Sequence, residues 1–545
     1  MPTVLKNDIH TNVAQIVYRG IRSRTTRAYF FLGRPLPWDG QDLEAPTPLA
    51  SRDYEFDTRS NIIGMKNITA SDISFAIERQ DWTSGTVYDM YDDRYSLNYP
   101  APSGATDIAD AQMFVLTDEF NIYKCISNGY GAPSTVKPTG TSTGYIGPLD
   151  DGYIWKYMDT VDIIQRSKFL TPEYLPITNT VEERYFSAGL SPIVVNPGAG
   201  YVQSNISTYI AGDGTGAAFN PIVDENGQIS YVEVINPGNL YTTATVQVLT
   251  PDPDQAQGTG GEISVALDYG DLDDPQAEVQ LAAVDGELSF VYISDGGSGY
   301  TTATATIEGN GTGAAATVII DQFGSVTGIN LTSRGTGYTT ATVTITGDGE
   351  GAIADVIIAP VGGHGRDLVN ESFADILSFQ ISTLDEINQQ FLLSNDYRQS
   401  GLIFNPDKFP IEGELRQAVV AEYVSACYVL EVEGIDAEDF TNDQIIFNQL
   451  TGNRLYIVQS EDLEDAGVTI GARLLVQTLE NFAPEVGDTY TDEEGTVLFS
   501  LPSSTSDIIT PEVDKFSGSM VFINNRTPFR RNSEQIVNIR TYVKF

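Results

Sequence analysis

Short runs in which apolar and polar residues alternate dominate the chain, and alternation at period two marks half-buried strands. Residues 13–18 (Val-Ala-Gln-Ile-Val-Tyr) and 28–32 (Ala-Tyr-Phe-Phe-Leu) read as strands on this basis. Residues 71–77 are open between a strand and a short helix started by a polar cap. A helix is predicted within residues 368–377. Residues 413–428 have the most helix-like composition, although Val419, Val420 and Val424 weaken the helix. Strands return over 443–501, with turn signals at Gly452-Asn453 and Glu494-Gly495. Residues 519–523 and 536–543 read as two more strands.

The pattern changes character between about 189 and 360, where the chain repeats. Gly198-Ala199-Gly200-Tyr201 recurs as Gly297-Ser298-Gly299-Tyr300 and Gly335-Thr336-Gly337-Tyr338, with a degenerate copy at Pro237-Gly238-Asn239-Leu240-Tyr241. A Thr/Ala/Val alternation follows each tyrosine. A second glycine cluster comes next: Gly212-Asp213-Gly214, then Gly309-Asn310-Gly311, then Gly347-Asp348-Gly349. Each unit reads as three short strands joined by Gly turns, with Ala303, Ala305 and Ile307 on one face and threonines on the other. Four units suffice to share a core between neighbours, as a compact sandwich or a solenoid. The long step from Tyr241 to Tyr300 is assigned to an acidic, Pro-containing insert at 251–275.

Composition narrows the function classes. The 545 residues allow about three to five domains. Thirty Lys and Arg against 74 Asp and Glu give a net charge of −44, which repels a phosphate backbone, so nucleic acid is not an expected partner. Two distant cysteines, Cys125 and Cys427, make no disulfide framework. The first residues are too polar for a signal peptide, and no apolar run is long enough to span a membrane.

Catalytic signatures are sparse. There is no Gly-Lys-Ser/Thr phosphate loop and no His-Glu-x-x-His. Only His10 and His364 are available, so a Ser-His-Asp triad would use one of them. His364, in a Gly-rich turn with Asp367 nearby, is the one to name, and its bland role is local packing. Two His and two Cys at 10, 125, 364 and 427 lack the close pairs of a zinc site. Gly309 to Gly313 follows a strand, as a dinucleotide loop does, but another β-like run follows it where a helix would be needed. The calcium β-roll pattern is not matched, and acidic pairs are too common here to indicate glycoside cleavage. No catalytic residue, cofactor or metal ligand is therefore assigned, and the chain is read as a non-enzyme. The acidic stretches 268–274 and 488–494 read first as solvated faces.

The two end zones carry an ordered set of motifs. These are Ile16-Val17-Tyr18-Arg19; Phe31-Leu32-Gly33-Arg34-Pro35-Leu36-Pro37-Trp38; Arg79-Gln80-Asp81-Trp82; Tyr123-Lys124-Cys125; Asp151-Gly152-Tyr153-Ile154-Trp155; and Ser517-Gly518-Ser519-Met520 through Asn525-Arg526-Thr527-Pro528, followed by 535–539. In this order they resemble the homodimeric baseplate wedge protein of contractile-tailed, myovirus-type phages, over about a third of the chain. The resemblance implies a mainly β fold with a few helices (α+β): a sandwich-like wedge core (1–188 and 361–545) interrupted by the four-unit β-repeat insertion (189–360). Extra length near 440–500 reads as a second, small β insertion. It also implies a structural virion subunit, assembled in the host cytoplasm into the tail baseplate, that forms homodimers, joins other wedge proteins and takes part in the rearrangement on contraction. Trp38, Trp82 and Trp155, with Tyr201, Tyr241, Tyr300 and Tyr338, are taken as core or interface anchors. An alternative for the insertion is a host-receptor or surface-glycan module, since Gly-rich β repeats with exposed Thr and Tyr suit sugar contact. A depolymerase on a β-solenoid is a third reading.

Overall fold

The computed structural model describes residues 4–38, 44–179, 189–238, 241, 243–255, 257–268, 275–382, 396–411, 413–465, 467–480, 482–501, 508–529 and 538–545. The chain is mainly β, with 48% strand and 11% helix in several antiparallel sheets. It divides into two compact units, one of residues 1–15, 74–376 and 544–545, the other of 16–73 and 377–543. The repeat zone therefore groups with much of the segment preceding it. Asn239, Leu240, residues 535–537 and most of the acidic stretch 268–274 lie outside the described residues.

The second unit is built on a five-stranded sheet ordered 423–425, 62–68, 28–33, 397–404, 519–529. Residues 28–33 are a fully buried strand at its centre, so the expected strand forms but with both faces covered and not half-buried. Tyr29, Phe31, Ile62, Met65, Ile403, Val419 and Val424 form the core beneath it. Residues 413–428 are not helical where described: the β-branched Val419 and Val424 are spent on this core, and 423–425 is an edge strand. A seven-stranded antiparallel sheet follows over 428–509, with Leu430, Ile446, Ile457, Leu474, Val476 and Tyr490 inside it. Gly452 and Gly495 hold positive φ at the expected turns.

Residues 13–18 correct the sequence reading, because they belong to a helix, Val4–Arg22. Ala14, Tyr18 and Ile21 are buried at helical spacing, a stripe that the local alternation of Val13-Ala14-Gln15-Ile16 conceals. The 71–77 ambiguity resolves to a strand, Ile73–Glu78, entered through a 3-10 turn whose capping box joins Thr69 and Asp72. Only one helical turn, Leu368–Glu371, forms within 368–377. Asp367 caps it by accepting from Asn370 N at 3.1 Å, and Phe373 at φ 52° ends it.

In the repeat zone we number the strands β1 (Gly189–Ala199), β2 (Ser207–Gly212), β3 (Ala218–Val223), β4 (Ile229–Asn236), β5 (Ala244–Leu249), β6 (Thr259–Asp268), β7 (Leu288–Ser298), β8 (Ala303–Gly309), β9 (Thr312–Ile320), β10 (Val326–Thr336), β11 (Ala341–Gly347) and β12 (Glu350–Ile358). Three strands per unit match the sequence reading, but the units combine as two closed pairs, each with its own centre. The ladders are β1/β6, β2/β5 and β3/β4 in the first pair, and β7/β12, β8/β11 and β9/β10 in the second. Strands β1 and β4, β2 and β3, and β5 and β6 are also neighbours, so six strands close into a three-sided prism. The second pair repeats this arrangement. Neither a two-sheet sandwich nor a solenoid results. The long step after Tyr241 is only partly insert: residues 259–268 are β6, and the added length is mainly a linker carrying the helix Pro275–Ala282.

Candidate functional site

The repeated motifs are two halves of one clasp. Tyr201, Tyr241, Tyr300 and Tyr338 are all buried, each plugging its prism. The Tyr201 hydroxyl accepts from Gly261 N at 2.9 Å on β6, and the Tyr300 hydroxyl accepts from Ala352 N at 3.3 Å on β12. Facing glycines leave room for the rings: a Cβ on Gly311 would stand 2.4 Å from the Tyr338 ring, and one on Gly349 would stand 2.5 Å from that of Tyr300. Between those glycines, Asp348 Oδ1 accepts from Thr301 N and Thr302 N, both at 2.9 Å. Asn310 Oδ1 accepts from Thr339 N and Thr340 N at 2.9 and 3.1 Å. The Thr301 hydroxyl and these amides hold the Asp348 carboxyl far below the usual carboxylate range. The clusters that resembled phosphate or calcium loops thus spend these oxygens on backbone amides of the facing Tyr turns. Gly311→Ala is expected to push Tyr338 from its seat at a cost of about 1–3 kcal/mol, read as a loss of amide-exchange protection confined to β7–β12.

A second cluster lies where the second prism meets the strands 121–128 and 153–160. Lys124 is wholly buried and donates to Glu371 Oε2 at 2.8 Å, with its ammonium 4.2 Å from the Tyr91 ring centre. Glu371 Oε1 accepts from Gly365 N at 2.8 Å. His364 Nε2 and Ser289 Oγ are 2.6 Å apart, while His364 Nδ1 stands 3.6 Å from Glu371 Oε2, too long for a hydrogen bond. Tyr145 donates to Glu287, and the Arg334 guanidinium lies 3.7 Å from the Tyr145 ring centre.

The order Ser289, His364, Glu371 has the connectivity of a nucleophile, base and acid. Asp367, the acid that sequence proximity suggested, is the helix cap instead. The chemistry does not follow from the connectivity, because Ser289 is 1% exposed and His364 0%. Burial, then the Lys124 charge, lowers the imidazole pKa to about 3, so it is a weak base. Burial alone would raise Glu371, but Lys124 and His364 hold it at about 2. Burial lowers the Lys124 pKa against the pull of Glu371. The sequence offered no sign of Glu371 or Lys124 as partners, since 247 residues separate them.

These shifts set an acid response. Between pH 6.5 and about 3 the unfolded chain protonates His364 and the folded chain does not, so stability falls as pH drops through that window. The slope is about 1.4 kcal/mol per pH unit. Glu371 adds a further loss below 4.5, its unfolded value, down to about 2. His364→Gln is expected to flatten urea-unfolding stability between pH 6.5 and 4.5 while leaving the lower loss in place.

The three tryptophans take separate posts. Trp155 is fully buried and stacks on Tyr153 at 5.4 Å. Trp82 is half-buried and donates to Ser134 Oγ at 3.1 Å. Trp38 is buried under Arg34, whose guanidinium lies 4.0 Å from its ring, and donates to Arg526 O at 3.0 Å. A cavity of about 430 Å³ in the first unit, lined by Glu78, Gln80, Asp110, Gln112, Asp375 and Lys544 among others, includes none of Ser289, His364 or Glu371. Among the described residues no group of three His, Cys, Asp or Glu is placed to hold a metal ion, and no helix is long and apolar enough to cross a membrane. No protein-family model matches the chain, and no curated protein matches it.

Proposed function

We propose that the chain is a structural, non-enzymatic subunit of a contractile-tail baseplate, of the homodimeric wedge type, whose twin prisms supply contact area to neighbouring wedge proteins. The observation that carries this reading is the joining of the opening motif around 31–38 to the closing one around 517–528, within the unit of residues 16–73 and 377–543. Residues 28–33 pair with 397–404, which pair with 519–529, and Trp38 of the opening motif bonds Arg526 of the closing one. Motifs nearly 500 residues apart thus share one sheet, while the repeat zone closes on itself as two added prisms. This is how an inserted body in a wedge core would look. Disrupting the gene in the phage that encodes it should leave tails without complete baseplates, as seen by negative-stain microscopy. Normal, infective tails from such a disruption would end the proposal.

The glycan alternative rests on exposed threonines and on Tyr209 and Tyr231, which are more than half exposed. The four motif tyrosines, taken as core or interface anchors, are closed inside the prisms and offer no sugar contact, while threonines such as Thr304, Thr306, Thr342, Thr344 and Thr346 stand on the outer faces of β8 and β11.

A further inference from the structure

The second prism joins the rest of the first unit, its base, through one narrow crossing. The chain enters at Val284 and leaves at Gly363, and the two lie side by side: a Cβ on Gly363 would stand 2.4 Å from Val284 O. Gly362 N donates to Asp285 Oδ1 at 2.8 Å, and Ala359 N donates to Glu287 O at 2.9 Å, so entry and exit are bonded to each other. Residues 285 and 286 already belong to the prism, since Gly337 N and Tyr338 N donate to Asp285 O and Gly286 O at 2.9 and 3.0 Å. On the other side, the helix Pro275–Ala282 and the chain after Gly365 belong to the base: Gln276 donates to Thr178 O at 2.8 Å, and Arg366 donates to Gln280 O at 3.1 Å.

Beyond the crossing, the β7/β12 side of the prism rests on the base through polar and aromatic side chains. Arg94 pairs with Asp355 at 3.0 Å and lies 5.3 Å from the Tyr292 ring, while Tyr130 lies 5.5 Å from Tyr292 and 6.0 Å from Phe290. The prism's own core is separate, plugged from within by Tyr300 and Tyr338. A closed body that is tied at one point, and held elsewhere by a polar seat, opens at the seat before its own core gives way. We infer that the second prism is a hinged body that swings off this seat about Val284 and Gly363 while its own fold stays closed.

His364 lies at the hinge and makes the movement sensitive to acid. Ser289 faces it from β7, and Tyr91 and Tyr145 face it from the base. Glu371, Lys124 and Lys156 surround it with charge, and Glu287 and Arg334 of the prism meet Tyr145 beside it. In the closed form, burial and then the Lys124 charge keep the imidazole neutral down to about pH 3. Swinging the prism away removes Ser289 and admits water, so the open form takes up a proton below about pH 6.5. The ratio of open to closed then rises about tenfold per pH unit below that value. This movement is a property of the chain itself and does not depend on what the chain assembles with.

Spin labels on Ile163→Cys in the base and Phe323→Cys in the prism, sites 73% and 81% exposed, read the swing by double electron–electron resonance in the full chain, whose native cysteines are buried. One distance is expected at pH 7.5, and a second, longer one at pH 5. Asp355→Lys, at a half-exposed site, turns the Arg94 contact repulsive and should raise the open-to-closed ratio at least tenfold at either pH. His364→Gln should remove the pH response and leave the Asp355→Lys response in place. Hydrogen exchange in β8 and β11, corrected for the intrinsic rate, should stay as slow at pH 5 as at pH 7.5. A single unchanged distance at pH 5 and in Asp355→Lys overturns the hinge. Loss of β8 and β11 protection in step with the longer distance also overturns it, because the prism is then unfolding. A pH response that survives His364→Gln overturns the acid trigger.

Discussion

Glu371→Gln should destabilise the first unit by about 3–5 kcal/mol, the cost of stranding a buried charge. Lys124 is wholly buried, and its only carboxylate within ion-pair distance among the described contacts is Glu371. A glutamine keeps an oxygen for Gly365 N but cannot balance the ammonium, so Lys124 must deprotonate, drag in water or open the seam. The double change Glu371→Gln with Lys124→Met should recover most of the loss, because it removes both buried charges while the glutamine oxygen still accepts from Gly365 N. Urea unfolding followed through Trp82 and Trp155, both in the first unit, reads the effect. Equal instability of the single and double variants would mean that the pair is incidental.

Tyr300→Ala should cost about 3–5 kcal/mol, the range for removing a buried aromatic ring. The ring fills the end of the second prism against Gly347 and Gly349, and its hydroxyl takes the Ala352 amide. Tyr300→Phe, which keeps the ring, should cost only about 1 kcal/mol. The loss should spread to the charge cluster, because β7 of the same prism supplies Ser289. Tyr300→Ala should therefore also raise the pH at which acid unfolding begins. Tyr241→Ala, in the first prism, should leave that pH unchanged. Hydrogen exchange resolved by prism, together with an acid titration of both variants, checks the contrast.

These two effects mark where the sequence was readable and where it was not. The repeat was legible because each Gly-x-Gly-Tyr is a local event: a positive-φ turn, then a ring that needs facing glycines. Pairing was not legible, because β1 finds its ladder partner in β6, and nothing in either strand's alternation names the other. The strand at 28–32 was found although its five apolar residues do not alternate, because it is buried on both faces. The first helix was hidden, since Val13, Ile16 and Val17 are β-branched and its buried stripe of Ala14, Tyr18 and Ile21 emerges only at a period of about 3.6. His364 was visible through its rarity and its glycine neighbours. Its partners Ser289 and Glu371 come from a strand in the repeat zone and a one-turn helix beyond it, brought together by tertiary packing alone.

We propose a place for this chain in a contractile-tail baseplate. Quantitative mass spectrometry of sheath-bearing tail particles, purified from cells that produce this chain, tests it most directly. The chain should appear in fixed proportion to the other baseplate proteins, at two copies per wedge. Its absence from such particles, or presence only in trace amounts that vary between preparations, would contradict the account.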